Sequence, residues 1–161
     1  MMEKGITIRK AKPSDHASVI AALQGWWGGR DLTAMLPKLF LNHFNDTSFV
    51  IEKEGQTIGF LIGFLSPSLK KEAYVHFMGV HPDFRKKGIG TTLYERFFEN
   101  CRTHGRNIIR ACTSAVNRDS VEFHERIGFQ LEAGDDEIDG LPVTRDYNRP
   151  GDHKVLFTKI I

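Results

Sequence analysis

Twelve residues, Gly79-Val80-His81-Pro82-Asp83-Phe84-Arg85-Lys86-Lys87-Gly88-Ile89-Gly90, carry most of the chemistry in this chain. They follow an apolar run, Tyr74-Val75-His76-Phe77-Met78, and open an apolar-periodic stretch from Thr91 to Cys101. That order predicts strand, turn, basic glycine-rich loop and helix. Glycines let the backbone come close to a ligand, and the first amides of a helix have no carbonyl partners of their own. Free amides, the positive end of the helix dipole and Arg85-Lys86-Lys87 converge on one spot, which suits a phosphate or pyrophosphate. The plainer alternative is a basic loop that only joins a strand to a helix. Two histidines nearby in type and pattern, His76 and His124, titrate close enough to neutrality to move protons.

The surrounding elements must position these groups. Ile89, Leu93, Phe97 and Cys101 recur every four residues, so a helix over 89–103 can pack one stripe on a sheet and fix where its first amides point. By period-two alternation Tyr74, His76, Met78 and Val80 share one strand face and Val75 and Phe77 the other. Gly79 inside that strand predicts a bulge or a close backbone approach. Ile6 to Ala11 alternates like a strand, and Pro13-Ser14-Asp15 supplies helix-start chemistry. Glu54-Gly55 between Phe49–Glu52 and Thr57–Phe64 reads as a hairpin turn.

The glycine spacing excludes the common nucleotide loops. A P-loop requires Gly-Lys-Ser/Thr after its four-residue gap, and no such run exists. A dinucleotide fingerprint needs a third glycine at position 93, which is Leu. The Arg-x-x-Gly-x-Gly run, preceded by Val-x-Pro, resembles the acetyl-CoA-binding motif of the GNAT superfamily of N-acetyltransferases. The stretch Asn117 to Phe129, an Asn, a short helix and Gly128-Phe129, resembles that family's last conserved block. With the early strand and the hairpin, four motifs stand in the family's order over roughly residues 5 to 133, plus a final strand near 154–160.

The resemblance implies a single domain over 1–161 of α/β (α+β) class. Its central sheet is mixed but mostly antiparallel, with flanking helices and a splayed pair of parallel strands holding the cofactor. It implies acetyl-CoA as acetyl donor, with Met78, Gly79 and Val80 offering backbone amides and Val80 nearest the developing oxyanion. Arg85, Lys86, Lys87, Gly88, Ile89, Gly90 and Thr91 would hold the pyrophosphate, Asn117 the pantetheine arm, and Phe123 and Arg126 further parts of the cofactor. Arg126 is otherwise simply solvated.

The implied reaction is direct attack of a primary amine on acetyl-CoA in a ternary complex. An alkylammonium has a pKa of about 10 and must first lose a proton. His76 is the candidate base; Tyr74-Val75-His76-Phe77-Met78 is similar to the strand of serotonin N-acetyltransferases, where two histidines serve and the first is here Tyr74. The alternative is a half-buried strand residue bonded to a neighbour. Many members protonate the leaving thiolate with a Tyr in Phe-Tyr-x-x-x-Gly-Phe, but this chain has His124 there. It acts as an imidazolium acid or only packs near the sulfur, and Tyr147 is a rival acid.

The resemblance implies that the acceptor cleft is lined by the family's variable segments, one of them between the first strand and the hairpin. Trp26-Trp27-Gly28-Gly29-Arg30-Asp31 reads either as an aromatic lid or as a core anchor, and Trp26, Trp27, Arg30, Tyr74 and Tyr147 are the substrate-binding candidates. The segment 134–153 is long for a connection, and its acidic cluster either attracts a cationic amine or forms a solvated turn. The acceptor expected is a small-molecule amine, with a protein N-terminus or lysine, or a catalytically silent CoA-binding sensor, as alternatives. A net charge of +2 and dispersed basic residues speak against a nucleic-acid partner. No apolar run reaches the roughly 18 residues of a membrane span, and the N-terminus lacks a signal-peptide core. A cytoplasmic protein is therefore expected. Cys101 and Cys112 lack paired spacing, and the histidines form no metal-ligand motif, so reduced thiols and no metal are expected. A homodimer is compatible with the family.

Overall fold

The computed structural model describes residues 3–161. The chain forms two compact units, one comprising the N-terminal part to Leu65 with Val75–Gly105, the other Ser66–Tyr74 with Arg106–Ile161.

In the first unit β1 (Ile6–Lys10) pairs antiparallel with β2 (Phe49–Lys53), which pairs antiparallel with β3 (Gln56–Leu65). The β2–β3 turn places Glu54 and Gly55 at φ 51° and 81°, the left-handed pair that a tight hairpin requires. β3 in turn neighbours β4 (Glu72–Val80). β3 reads as a continuous apolar run because it is covered on both faces: Ile58, Phe60, Leu61 and Ile62 are all fully buried. On one side lie α1 (His16–Gly25) and α2 (Leu39–His43), whose Val19, Leu23 and Leu41 form a core with Val50, Phe60 and Ile62.

α3 (Ile89–Thr103) also packs on β2 and β3, burying the predicted stripe Ile89, Leu93, Phe97 and Cys101. It comes unusually close. A Cβ built on Gly59 of β3 would lie 2.9 Å from Cγ2 of Ile89 and 3.3 Å from Cδ1 of Leu93. Glycine at 59 therefore sets the depth at which the first turn of α3 sits. At the other end of the unit, Arg9 grips Asp15 through two bonds of 2.8 and 2.9 Å, and Asp15 also accepts the Lys12 amide at 2.7 Å. The predicted helix start thus holds, with Asp15 as its acceptor.

The second unit contains the first residues of β4, which run parallel to β5 (Ile108–Thr113). That ladder takes in Glu72, Ala73 and Tyr74 and ends there. Arg110 secures it, donating to Glu72 at 2.7 and 3.0 Å. β5 pairs antiparallel with β9 (Asp152–Ile160), and β9 with β6 (Gln130–Leu131) and β8 (Leu141–Arg149). β7 (Asp136–Ile138) pairs antiparallel with β8, and α4 is Arg118–Arg126. The sheet is mixed and mostly antiparallel, as expected.

The segment 134–153 differs from a plain connection, since it folds as the β7–β8 hairpin. Beyond Thr144 the β8–β9 register shifts and Arg145–Arg149 are exposed. Backbone pairing without a buried face leaves no alternation to read. Its acidic residues are used locally: Asp135 accepts the Arg145 amide at 2.9 Å and Asp136 pairs with the Arg145 guanidinium at 3.1 Å.

Candidate active site

The basic loop begins where β4 ends. Pro82–Phe84 makes one 3-10 turn, and Lys86 and Gly88 then adopt φ of 60° and 80°. Gly88 stands immediately before α3, and its left-handed backbone is what glycine permits at no steric cost. The Thr92 amide donates to the Gly88 carbonyl at 2.9 Å as the first helical bond. The amides of Ile89, Gly90 and Thr91 lie ahead of that bond, at the positive end of a fifteen-residue helix. A cavity of about 360 Å³ adjoins them, lined among others by Phe84, Lys87, Gly88, Ile89, Thr91 and Thr92. These residues fit a pyrophosphate: open backbone at Gly88, preceding amides, and exposed Lys86 and Lys87.

The three basic residues do not act as one cluster. The Lys87 ammonium sits 5.3 Å from the Phe84 ring centre. Arg85 instead donates from Nε to the Val80 carbonyl at 3.1 Å and from Nη2 to the Trp26 carbonyl at 2.6 Å. No sequence signal marks that link, because backbone carbonyls carry none.

The strand leading into the loop is lined by rings. Gly79 is there for a close approach: a Cβ would lie 2.6 Å from Cη2 of Trp27 and 2.9 Å from Cζ of Phe60. Trp27 packs edge-on against Phe77, with centroids 5.3 Å apart, and Trp26 packs against Phe60 at 5.7 Å and edge-on to His81 at 5.4 Å. Both indoles are half-buried on the core of the first unit, while Arg30 is exposed.

His76 is half-buried in the same strand. Its ring stacks on Phe40 at 4.0 Å with 6° between planes, and Nε2 lies 2.5 Å from the Met35 carbonyl. A carbonyl only accepts, so Nε2 carries the proton and the neutral ring keeps its lone pair on Nδ1. Burial lowers the His76 pKa below the usual imidazole value, and the bond to Met35 offsets part of that. The ring is thus neutral at pH 7, the form that a base requires. Within the first unit the contacts join His76, Phe77, Gly79, Val80, Trp26, Trp27 and Arg85 into one neighbourhood.

Met78 is half-buried in the same strand, while Asn117, Phe123, His124, Arg126, Tyr74 and Tyr147 belong to the second unit. Asn117 caps α4, its Oδ1 accepting the Ser120 amide at 3.4 Å. Arg126 lies 5.8 Å from the Phe123 ring centre. His124 is only 6% exposed, stacks on Phe157 at 4.4 Å and donates from Nδ1 to the Ser120 carbonyl at 2.7 Å. Burial pushes its pKa down to about 4, with the Ser120 bond a partial offset. At pH 7 about one ring in a thousand is then charged, which favours packing over acid catalysis for this residue. Tyr74 hydrogen-bonds with Cys112 and Tyr147, and burial raises its pKa. Burial also raises that of the Cys112 thiol, and neither Cys101 nor Cys112 is in a disulfide.

The Acetyltransferase (GNAT) family profile matches residues 17–129, more than two thirds of the chain. This chain belongs to the GNAT family. Over 97 residues, 58% of its length, it is 34% identical to an uncharacterised N-acetyltransferase of Methanocaldococcus jannaschii. Over 83 residues, 52% of its length, it is 30% identical to an L-2,4-diaminobutyric acid acetyltransferase of Nocardia farcinica. Each match takes in 43% of the relative, so this GNAT chain spans under half the length of those curated relatives. Its fold is similar to that of Ard1 from Thermoplasma volcanium, with a TM-score of 0.78, 22% identity and 98% of both chains covered.

Proposed function

We propose that the protein transfers the acetyl group of acetyl-CoA to a small-molecule primary amine. The observation that carries this reading is the glycine-opened start of α3, where three amides precede the first helical bond beside a cavity of about 360 Å³. Family membership supplies the substrate that such a loop would hold. The Nocardia relative is named for acetylating L-2,4-diaminobutyric acid, an amino acid carrying amines, which supports a small acceptor.

Ile89, Gly90, Thr91, Lys86 and Lys87 are assigned to the pyrophosphate, and the Val80 amide to the carbonyl oxygen as it gains charge. The thioester supplies the activated acetyl group. His76 is assigned as the base: Nδ1 takes the proton from the ammonium, directly or through water, and the freed amine attacks. Asn117, Phe123 and Arg126 are assigned to the cofactor on the family motif alone. His124 is assigned to packing, and solvent to protonation of the thiolate.

CoA release from acetyl-CoA across amino acids, diamines, polyamines, aminoglycosides and short peptides tests the reading, with product masses confirmed. Turnover of a small amine is the expected result. Turnover of peptides alone would move the acceptor to a protein, and tight acetyl-CoA binding without turnover would leave a sensor domain.

A further inference from the structure

Arg85 opens the basic loop, yet its guanidinium is spent on two neutral carbonyls, Val80 at 3.1 Å and Trp26 at 2.6 Å. A guanidinium fork matches phosphate oxygens with two parallel bonds and opposite charge, whereas each carbonyl accepts a single bond and carries no net charge. A phosphate arriving at the amides of α3 therefore competes for Arg85 on favourable terms. The segment that Arg85 holds is built to move once released. Trp26 is followed by Gly28 and Gly29, with φ of 59° and 89° and open space around both. The Trp26 amide closes α1 on the Ala22 carbonyl at 2.8 Å, so the freedom lies after it: beyond the indole packing, the ties there are the Arg85 bond and a turn from the Arg30 amide to the Trp27 carbonyl at 3.1 Å.

We propose that Arg85 is a positioning residue that couples cofactor arrival to the Trp26–Trp27 segment. Phosphate engagement draws the guanidinium off the Trp26 carbonyl, and the segment, hinged at Gly28 and Gly29, lifts the Trp27 ring away from Gly79. The backbone of β4 beside His76 is then uncovered only when the cofactor is in place. This inference rests on the cofactor reading above.

The chain's two tryptophans are these two, so intrinsic emission reports this segment alone. The experiment titrates CoA into the full chain and into Arg85→Met, following tryptophan emission, acrylamide quenching and calorimetric binding. In the wild type CoA should red-shift the emission and increase quenching. Arg85→Met should show the shifted, more quenchable state without CoA and lose the further CoA-induced shift. Arg85 is exposed, so the variant should retain the wild-type circular dichroism spectrum. Wild-type binding with unchanged emission overturns the coupling and leaves the cofactor reading intact. An unliganded Arg85→Met spectrum identical to wild type, with the full CoA shift, overturns it as well. Absence of calorimetric binding in the wild type removes the cofactor reading and the coupling together.

Discussion

Burial lowers the pKa of both His124 and His76, one bearing on stability in acid and the other on turnover. His124 falls from an ordinary 6.5 to about 4 in the folded chain. Between those values the unfolded chain holds a proton that the folded chain does not, so stability is full above pH 6.5 and declines as pH drops toward 4. The loss amounts to about 3 kcal/mol at its limit. His124→Phe keeps a ring for Phe157 and removes the titration. Denaturant unfolding from pH 7.5 to 4.5 should show a flatter stability profile for the variant than for wild type. His76 matters for turnover. Because burial holds its pKa below the usual value, the acid limb of kcat/KM should fall below pH 6.5. His76→Ala should abolish that limb and most amine-dependent turnover while CoA affinity, by calorimetry, is kept. An unchanged profile in His76→Ala would assign the base elsewhere.

At the scale of elements, α3 is the decisive piece. Its register comes from the buried stripe, and its first turn contains Gly90, itself buried. Gly90→Val should lower CoA affinity about tenfold or more, a cost of at least about 1.4 kcal/mol, with the circular dichroism spectrum retained. Equal affinity would place the phosphates away from this turn. α3 was legible because one face is apolar at a four-residue period and glycines mark its start. The β4 strand and the β2–β3 hairpin were legible for similar reasons, alternation in one and a left-handed turn pair in the other. What could not be read was partnership through backbone. Arg85 looked like one third of a cationic cluster, but it ends on the Trp26 and Val80 carbonyls. The Met35 carbonyl that fixes the His76 tautomer has no side-chain signature either. Nor did the β7–β8 hairpin show itself, since it pairs exposed Asp136 and Glu137 with a strand that buries just Leu141 and Val143, too short an alternation to mark a strand. For His124 the sequence named the residue but not its burial, and burial decides its charge.

For the whole molecule, ligand linkage gives the most direct test. A ligand that binds only the folded chain stabilises it by about 2.7 kcal/mol at 100 times its dissociation constant. CoA at that level should raise the thermal midpoint of the wild type, and the same concentration should raise that of Gly90→Val far less. A midpoint indifferent to CoA would argue against a cofactor site anywhere in the chain. Among the described residues no helix is long and apolar enough to cross a membrane, and no group of three or more His, Cys, Asp or Glu side chains could hold a metal ion.

Gly59 has a bearing on how this protein can be improved. Glycine inside a strand costs roughly 0.5–1 kcal/mol relative to alanine, so directed evolution for heat resistance would ordinarily favour a β-branched replacement there. Here the added carbon would meet Ile89 at 2.9 Å and push the start of α3 outward. Selection on melting temperature alone would therefore erode ligand affinity through a residue that touches no ligand. Gly25, at the end of α1 with nothing within 4 Å of its would-be Cβ, carries no such penalty. A library that varies Gly25 and spares Gly59 gains robustness without moving the helix on which binding depends.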